Sequence, residues 1–257
     1  MQLDGKKIVL TGGGSGIGKE LLEKLCAFDV EIIVGDINPQ QVDDASQKIT
    51  ATKCDVGIAE DVDALFQFAI DKFGKIDIFI ANAGFAYYEK ITEPDWKHIE
   101  KLIQVDMISP MYSLEKMAKL NRDRKYIVMV NASAMAYLPM PGYAIYSGAK
   151  MGLHGFVSAY RHEHNDQGTL SIVYPIATKT EFFSNAGNQI PVPFPSQTAK
   201  QVANKMISGL RKNKKVIYPS LLFRIMLLLN NYLPFLLSFY LYWQRTLFAR
   251  WVEQNKK

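Results

Sequence analysis

Tyr146 and Lys150 lie in the stretch Tyr-Ser-Gly-Ala-Lys, four residues apart. On a helix, positions i and i+4 share a face, so this phenol and this ammonium would project into the same space. A free tyrosine titrates near pKa ~10, and a cation held beside it favours the phenolate, bringing the group nearer to working pH. Tyr146 could then take or give a proton. Ser133 follows the apolar strand pattern of residues 126–130 through Asn131 and Ala132. Its hydroxyl would stand at a strand's carboxyl end, where open α/β sheets hold their ligands, and a substrate oxygen would fit between the two hydroxyls. A Tyr and a Lys four apart also occur as a chance surface pair, so the reading rests on the elements that position them.

Residues 6–11 form a short apolar strand pattern, followed at once by Gly12, Gly13, Gly14, Ser15, Gly16, Ile17 and Gly18 and then a helical pattern over 19–28. Glycines here let backbone N–H groups approach a pyrophosphate, with the positive end of the helix toward it. The usual Gly-x-Gly-x-x-Gly spacing is not strictly met, so the next elements decide. Residues 31–34 read as a second strand, and Asp36 just past it stands about 20 residues beyond the glycines, where a carboxylate accepts from the adenosine ribose hydroxyls. The same carboxylate repels a 2′-phosphate, which favours NAD over NADP. A helix cap is the competing role for Asp36, for which Asn38 is better placed.

A short helix is expected around 40–48, then a strand over 51–54 ending in Asp55 and Val56, with Asp55 placed to meet the adenine amino group. Val62, Leu65, Phe66, Ala69 and Ile70 give residues 59–73 helical spacing. Residues 76–81 are a fourth strand running into Asn82, Ala83 and Gly84, small residues that let the chain turn beside a cofactor. Helical patterns follow across 96–105 and 107–120. This alternation predicts one α/β domain over residues 1–219, a doubly wound parallel sheet of the Rossmann type, with 220–257 as an apolar and basic helical extension.

The 257 residues are 48% hydrophobic and 21% charged, enough for a full core. The net charge of +5 does not indicate nucleic acid. Its excess gathers toward the carboxyl end, in Arg211, Lys212, Lys214, Lys215, Arg245, Arg250, Lys256 and Lys257, a distribution that suits a surface. Cys26 and Cys54 have neither metal-ligand nor disulfide spacing, and His162 and His164, two apart, would face different ways, so no metal site is expected. The amino terminus shows no apolar signal-peptide core, which points to the cytoplasm.

Taken together these residues resemble the short-chain dehydrogenase/reductase family, classical type, over nearly all of residues 1–219. The sequence has that family's Thr-Gly-x-x-x-Gly-x-Gly turn at Thr11, Gly12, Gly16 and Gly18, its Asn-Ala-Gly at Asn82, Ala83 and Gly84, its Ser133, and its Tyr-x-x-x-Lys at Tyr146 and Lys150. The resemblance implies Tyr146 as general acid/base, Ser133 orienting the substrate oxygen, and Lys150 lowering the tyrosine pKa while binding the nicotinamide ribose. It implies a cofactor site of Gly12, Ser15, Gly16, Ile17, Gly18, Asp36, Asp55, Val56, Asn82, Ala83, Gly84, Tyr146, Lys150, Pro175, Thr178 and Thr180. It also implies a dimer or tetramer paired through 106–121 and 146–165. Two departures stand out. Asp106 replaces the family's asparagine, whose main-chain carbonyl helps hold a relay water, and so adds a charge to the catalytic set. The family's Pro-Gly after the sixth strand is here Pro175 and Ile176.

Met135, Leu138, Met140, Phe182 and Phe183 fall in the loops expected over the strand ends, favouring an apolar alcohol or ketone, lipidic or steroid-like; loop packing would use the same residues. Residues 221–243 are strongly apolar, with Arg224 the one charge and Asn230, Asn231 and Pro234 interrupting. Two short helices forming an interfacial membrane hairpin on the cytoplasmic face are expected, against burial under a partner subunit, cover over the substrate site, or a true span. The expected activity is NAD-dependent hydride transfer on an apolar alcohol or ketone. The alternatives are an idle dinucleotide-binding protein that regulates partner or membrane binding, and an NADP-dependent ketone reductase.

Overall fold

A computed structural model describes residues 2–43, 47–164, 167–187, 190–230, 232–233 and 235–255. Asn231, Pro234, Lys256 and Lys257, named above, lie outside the described residues, as do positions 44–46 and 165 of the ranges given above. The elements in chain order are β1 Lys6–Thr11, α1 Gly16–Leu25, β2 Val30–Asp36, β3 Ile49–Lys53, α2 Ala59–Phe73, β4 Ile78–Ala81, α3 Trp96–Ile103, α4 Ser109–Leu120, β5 Tyr126–Asn131, α5 Ala144–Glu163, β6 Gly168–Val173, β7 Ala177–Lys179, α6 Phe182–Ala186, β8 Ser196–Thr198, α7 Ala199–Arg211, β9 Val216–Ile217, α8 Leu221–Asn230 and α9 Phe235–Gln254.

Among the described residues, seven strands make one parallel sheet in the order β3-β2-β1-β4-β5-β6-β9, and β7 pairs with β8 apart from it. Unbroken apolar runs such as Ile-Phe-Ile-Ala in β4 are buried throughout, as a sheet covered on both faces requires. One face receives Leu21, Leu22 and Leu25 of α1 with Val202, Met206 and Leu210 of α7. The other receives Val62, Leu65 and Phe66 of α2, Leu114 and Met117 of α4, and Leu153 and Val157 of α5. The order reverses between β1 and β4, so their carboxyl ends open a crevice at the switch point.

Several local expectations need correction. Of the helix over 40–48 the described residues form only a 3-10 turn, Pro39–Gln41, because Pro39 starts a turn that Val42 leaves in extended conformation; residues 44–46 lie outside the described residues. Asn38 makes no side-chain cap there, and Asp36 ends β2 instead of following it. The helices over 96–105 and 107–120 join through a π-turn, Gln104–Ile108. Pro110 has no N–H for the carbonyl of Asp106 four residues back, and the helix widens at that point, with the Ser109 amide reaching Gln104. The two short helices of the extension are one short and one long. Leu237, Leu241, Phe248 and Trp251 continue a seam that packs on Tyr88, Leu138, Met140 and Tyr143, which carries α9 on to Gln254. Among the described residues no helix is long and apolar enough to cross a membrane.

Close helix-to-strand contact at the first turn is the tightest constraint in the fold. A Cβ on Gly18 would lie 1.8 Å from the Gly12 carbonyl oxygen, and both are backbone positions that cannot swing away. Gly18→Ala is expected to cost about 2–3 kcal/mol by overpacking, lowering the melting temperature by roughly 5–10 °C. Thermal unfolding followed by circular dichroism checks this.

Candidate active site

The carboxyl ends of β1, β2, β4, β5 and β6 border one cleft of about 750 Å³. Its first wall is the glycine turn. Gly12 has φ +71°, and a Cβ there would meet the Ala83 backbone at 2.8 Å, so only glycine lets the turn lie against the Asn82–Gly84 segment. Ser15, Gly16 and Ile17 line the cleft where α1 begins. Gly18 does not; it stands behind the turn as the packing residue described above. The Asp36 carboxylate bridges two amides, accepting from Gly14 and from Asn38 at 2.9 Å each, and faces the cleft beside Asp55 and Val56. Asp55 also accepts from the Gly57 amide at 2.9 Å, so its carboxylate is held by its own turn.

Asn82 ties the walls together. Its amide donates to the Gly12 carbonyl at 2.7 Å, and its Oδ1 accepts from Asn131 Nδ2 at 3.0 Å. The Thr11 hydroxyl accepts from the Asn82 and Ala83 amides at 3.2 Å each. A glycine cradle at a helix start, a carboxylate at the end of the second strand and a deep cleft between fit an adenine dinucleotide. Pro175, Thr178 and Thr180 line the opposite wall. The Ile176 carbonyl accepts from the Thr178 hydroxyl at 2.8 Å, and the Pro175 carbonyl accepts from the Ala134 amide at 2.7 Å, so this segment is fixed even with isoleucine in the glycine's position.

Tyr146, Lys150, Ser133 and Asp106 converge at the inner end. Tyr146 and Lys150 share a face of α5, as their spacing predicts, and both are buried. Lys150 Nζ lies 5.4 Å from the centre of the Tyr146 ring. It donates to the Asn131 carbonyl at 3.1 Å and pairs with Asp106 Oδ1 at 2.9 Å. Asp106 is wholly buried, and its Oδ2 accepts from the Phe85 amide at 3.1 Å.

This pairing sets a carboxylate beside the tyrosine and the lysine. Burial pushes the Tyr146 phenol above its ordinary value, the Asp106 charge pushes it the same way, and a hydrogen bond with Ser133 opposes them. Lys150 Nζ stands over the Tyr146 ring while it is paired with Asp106 Oδ1. Burial likewise raises the Asp106 carboxyl, against the pull of Lys150 and the Phe85 amide. The ion pair joins residues 44 apart in sequence, and nothing in their spacing announces it; the unusual aspartate was its one signal. Asn131, ending β5, was also passed over, although it holds both Lys150 and Asn82.

Met135, Phe182 and Phe183 line the cleft, with the Phe182 ring 5.6 Å from that of Tyr146. Leu138 and Met140 do not. They line a smaller apolar pocket next to it, which shares Ser133 and Met135 with the cleft.

A parallel doubly wound sheet with a dinucleotide crevice and a Ser-Tyr-Lys set at its inner end defines a nicotinamide-dependent oxidoreductase. The short chain dehydrogenase model matches residues 6–191, and the chain belongs to that family as an NAD(P)-dependent dehydrogenase/reductase. It is similar to an uncharacterized oxidoreductase of Staphylococcus saprophyticus, 28% identical over 188 residues, 68% of this chain and 75% of that one. It is also similar to the hydroxynaphthalene reductase-like protein Arp2 of Metarhizium brunneum, 25% identical over 213 residues, 78% and 79% of the two chains. The fold matches a short chain dehydrogenase/reductase of Burkholderia phymatum in complex with NAD, at TM-score 0.79 and 18% identity, over 90% of this chain and 94% of that one. It also matches a short-chain dehydrogenase of Sphingobium yanoikuyae in complex with NADPH, at TM-score 0.75 and 21% identity, over 84% and 88%.

With Tyr146 as the general base, alcohol oxidation would require the phenolate, and its rate would rise with pH through the phenol's pKa. Asp106→Asn removes a negative charge that raises that pKa and frees the charge of Lys150. The ascending limb of kcat/KM against pH is therefore expected to move to lower pH, and a pH profile of both proteins measures the shift.

Proposed function

We propose that the protein is an NAD-dependent oxidoreductase interconverting an apolar ketone and its alcohol. The observation that carries this reading is the convergence of Ser133, Tyr146 and the Lys150–Asp106 pair at the inner end of a dinucleotide-shaped cleft. Bound nicotinamide would supply the hydride in reduction and accept it in oxidation. Ser133 would hold the substrate oxygen and Tyr146 would give that oxygen its proton. A phenol, here with its pKa raised further by burial, is protonated at neutral pH and can act as general acid in reduction. Tyr146→Phe is expected to lower kcat/KM by about 10²–10⁴-fold, the usual share of general acid–base catalysis, with NADH affinity within about twofold of the parent. An unchanged rate would contradict the mechanism, and tight NADH binding without turnover in the parent would favour an idle binding protein.

NAD is preferred over NADP on the chemistry of the adenosine end. Asp36 faces the cleft, and the buried Cys54 thiol beside it is pushed up to about 12, by burial first and then by the carboxylates of Asp61, Asp55 and Asp36. A 2′-phosphate entering that negative field is repelled. NADH is expected to bind at least about tenfold tighter than NADPH, or ~1.4 kcal/mol, and Asp36→Ala should narrow the gap. Fluorescence titration with both reduced cofactors reads it.

The carboxyl-terminal helices support attachment to a lipid surface. Leu221, Leu228, Tyr232, Phe235 and Phe239 are each more than half exposed, and Arg224, Arg245 and Arg250 lie exposed among or beyond them. Aromatic and basic residues around an apolar face suit an anionic headgroup layer. The full chain is expected to sediment with vesicles of mixed anionic phospholipid, and Phe235→Asp with Phe239→Asp to remain in the supernatant. Equal sedimentation of both proteins would remove the lipid reading.

A further inference from the structure

The small pocket beside the catalytic cleft is walled partly by the loop after β5 and partly by the carboxyl-terminal extension. Met135, Leu138 and Met140 come from the loop, Phe223 and Met226 from α8, and Tyr240 from α9. Its volume is about 60 Å³. That space holds on the order of four water-sized groups. Ser133, whose hydroxyl lies in hydrogen-bond reach of the Tyr146 phenol, belongs to its wall as well as to the cleft. A group in this pocket is therefore a neighbour of a group held at Ser133.

We infer that this pocket is a binding site for the alkyl arm of the substrate, with α8 and α9 acting as specificity determinants for chain length. The inference rests on the oxidoreductase reading for what sits at Ser133, and on the pocket's own walls for what sits inside. Beyond the hydroxyls of Ser133 and Tyr240, the side chains facing it are apolar, so a charged or strongly hydrated group there would lose its water without replacement. Thioethers at Met135, Met140 and Met226 give walls that adapt to a flexible chain more readily than branched side chains do. The occupant that satisfies both ends is an aliphatic ketone or alcohol, its oxygen at Ser133 and its chain between the loop and α8.

Packing on the catalytic domain brings α8 and α9 to this wall. Phe223 is buried, and Tyr240 sits on the same side of α9 as the seam residue Leu241. The extension thus closes a space that the rest of the chain leaves incomplete.

The test uses the full chain saturated with NADH and the methyl ketones from 2-butanone to 2-dodecanone. Binding is read by calorimetry and turnover by NADH oxidation. Affinity should rise roughly three- to fourfold for each added methylene, the gain from burying one such group, and level off once the pocket is full, after about four carbons by its volume. Met226→Trp, which fills the pocket, should flatten the gradient through KM, with kcat little changed. Met226→Ala, a milder change that guards against misfolding, should move the plateau to longer chains. A parent protein with no dependence on chain length, or variants whose profiles superimpose on the parent's, would overturn the inference. A chain-length gradient in binding without NADH oxidation would support the pocket while removing the hydride reading; oxidation without a gradient would remove the pocket alone.

Discussion

A lysine ammonium that is 3% exposed must be answered by charge or by hydrogen bonds, since an isolated buried cation costs several kcal/mol. In this protein Asp106 and the Asn131 carbonyl answer Lys150, and much of the site follows from that. The pair fixes Lys150 beneath the Tyr146 ring, and the Phe85 amide on the other carboxylate oxygen fixes the chain leaving the Asn82–Gly84 turn. A Cβ on Gly84 would lie 2.6 Å from Asp106 Oδ1, so that turn can approach the pair only as glycine. Burial raises the phenol's pKa, and the same carboxylate adds to that rise. Asp106 thus contributes to both the geometry and the proton affinity at the inner end of the cleft.

The sheet supplies the rest. Parallel strands bring five carboxyl ends to one edge, so residues from Thr11 to Pro175 meet although the chain separates them widely. Asn82 and Asn131, at the carboxyl ends of neighbouring strands, link the glycine turn to Lys150 through three hydrogen bonds, two from side chains to backbone carbonyls and one between the two asparagine side chains. The end of the cleft at Asp36 and Asp55 is acidic and fixed by local turns, while the end at Tyr146 and Phe182 is aromatic and apolar. On the proposed function, those two environments would divide the labour between recognising a nucleotide and admitting a ketone.

Strand and helix order were legible because buried parallel strands are unbroken apolar runs and the covering helices are amphipathic, two signals that need no distant partner. The Tyr146 and Lys150 juxtaposition was legible for the same reason, being a property of one helix. Lys150 with Asp106 was not, because an ion pair across 44 residues depends on how two helices cross, and the π-turn that carries Asp106 inward arises from a proline four residues later. The helix expected over 40–48 begins instead as a proline turn, Pro39–Gln41, which Val42 leaves in extended conformation. Leu138 and Met140 read as substrate residues from their loop, but their pocket exists only because α8 and α9 return to cover it, and no periodicity reports such a return. The extension read as membrane-seeking from its apolar run. The structure divides that run between a seam turned to the body and a face turned outward, a division one strong hydropathy signal conceals.

The central claim is that the cleft transfers hydride to a carbonyl carbon while Tyr146 supplies the proton. It is tested most directly by incubating the full chain with NADH carrying deuterium at either face of nicotinamide C4, together with the methyl ketone series, and analysing the alcohols by mass spectrometry. Deuterium at the carbinol carbon, from one face of the cofactor only and absent with Tyr146→Phe, is the expected result. Alcohol formed without the label, or labelled equally by the Tyr146→Phe protein, would contradict the account.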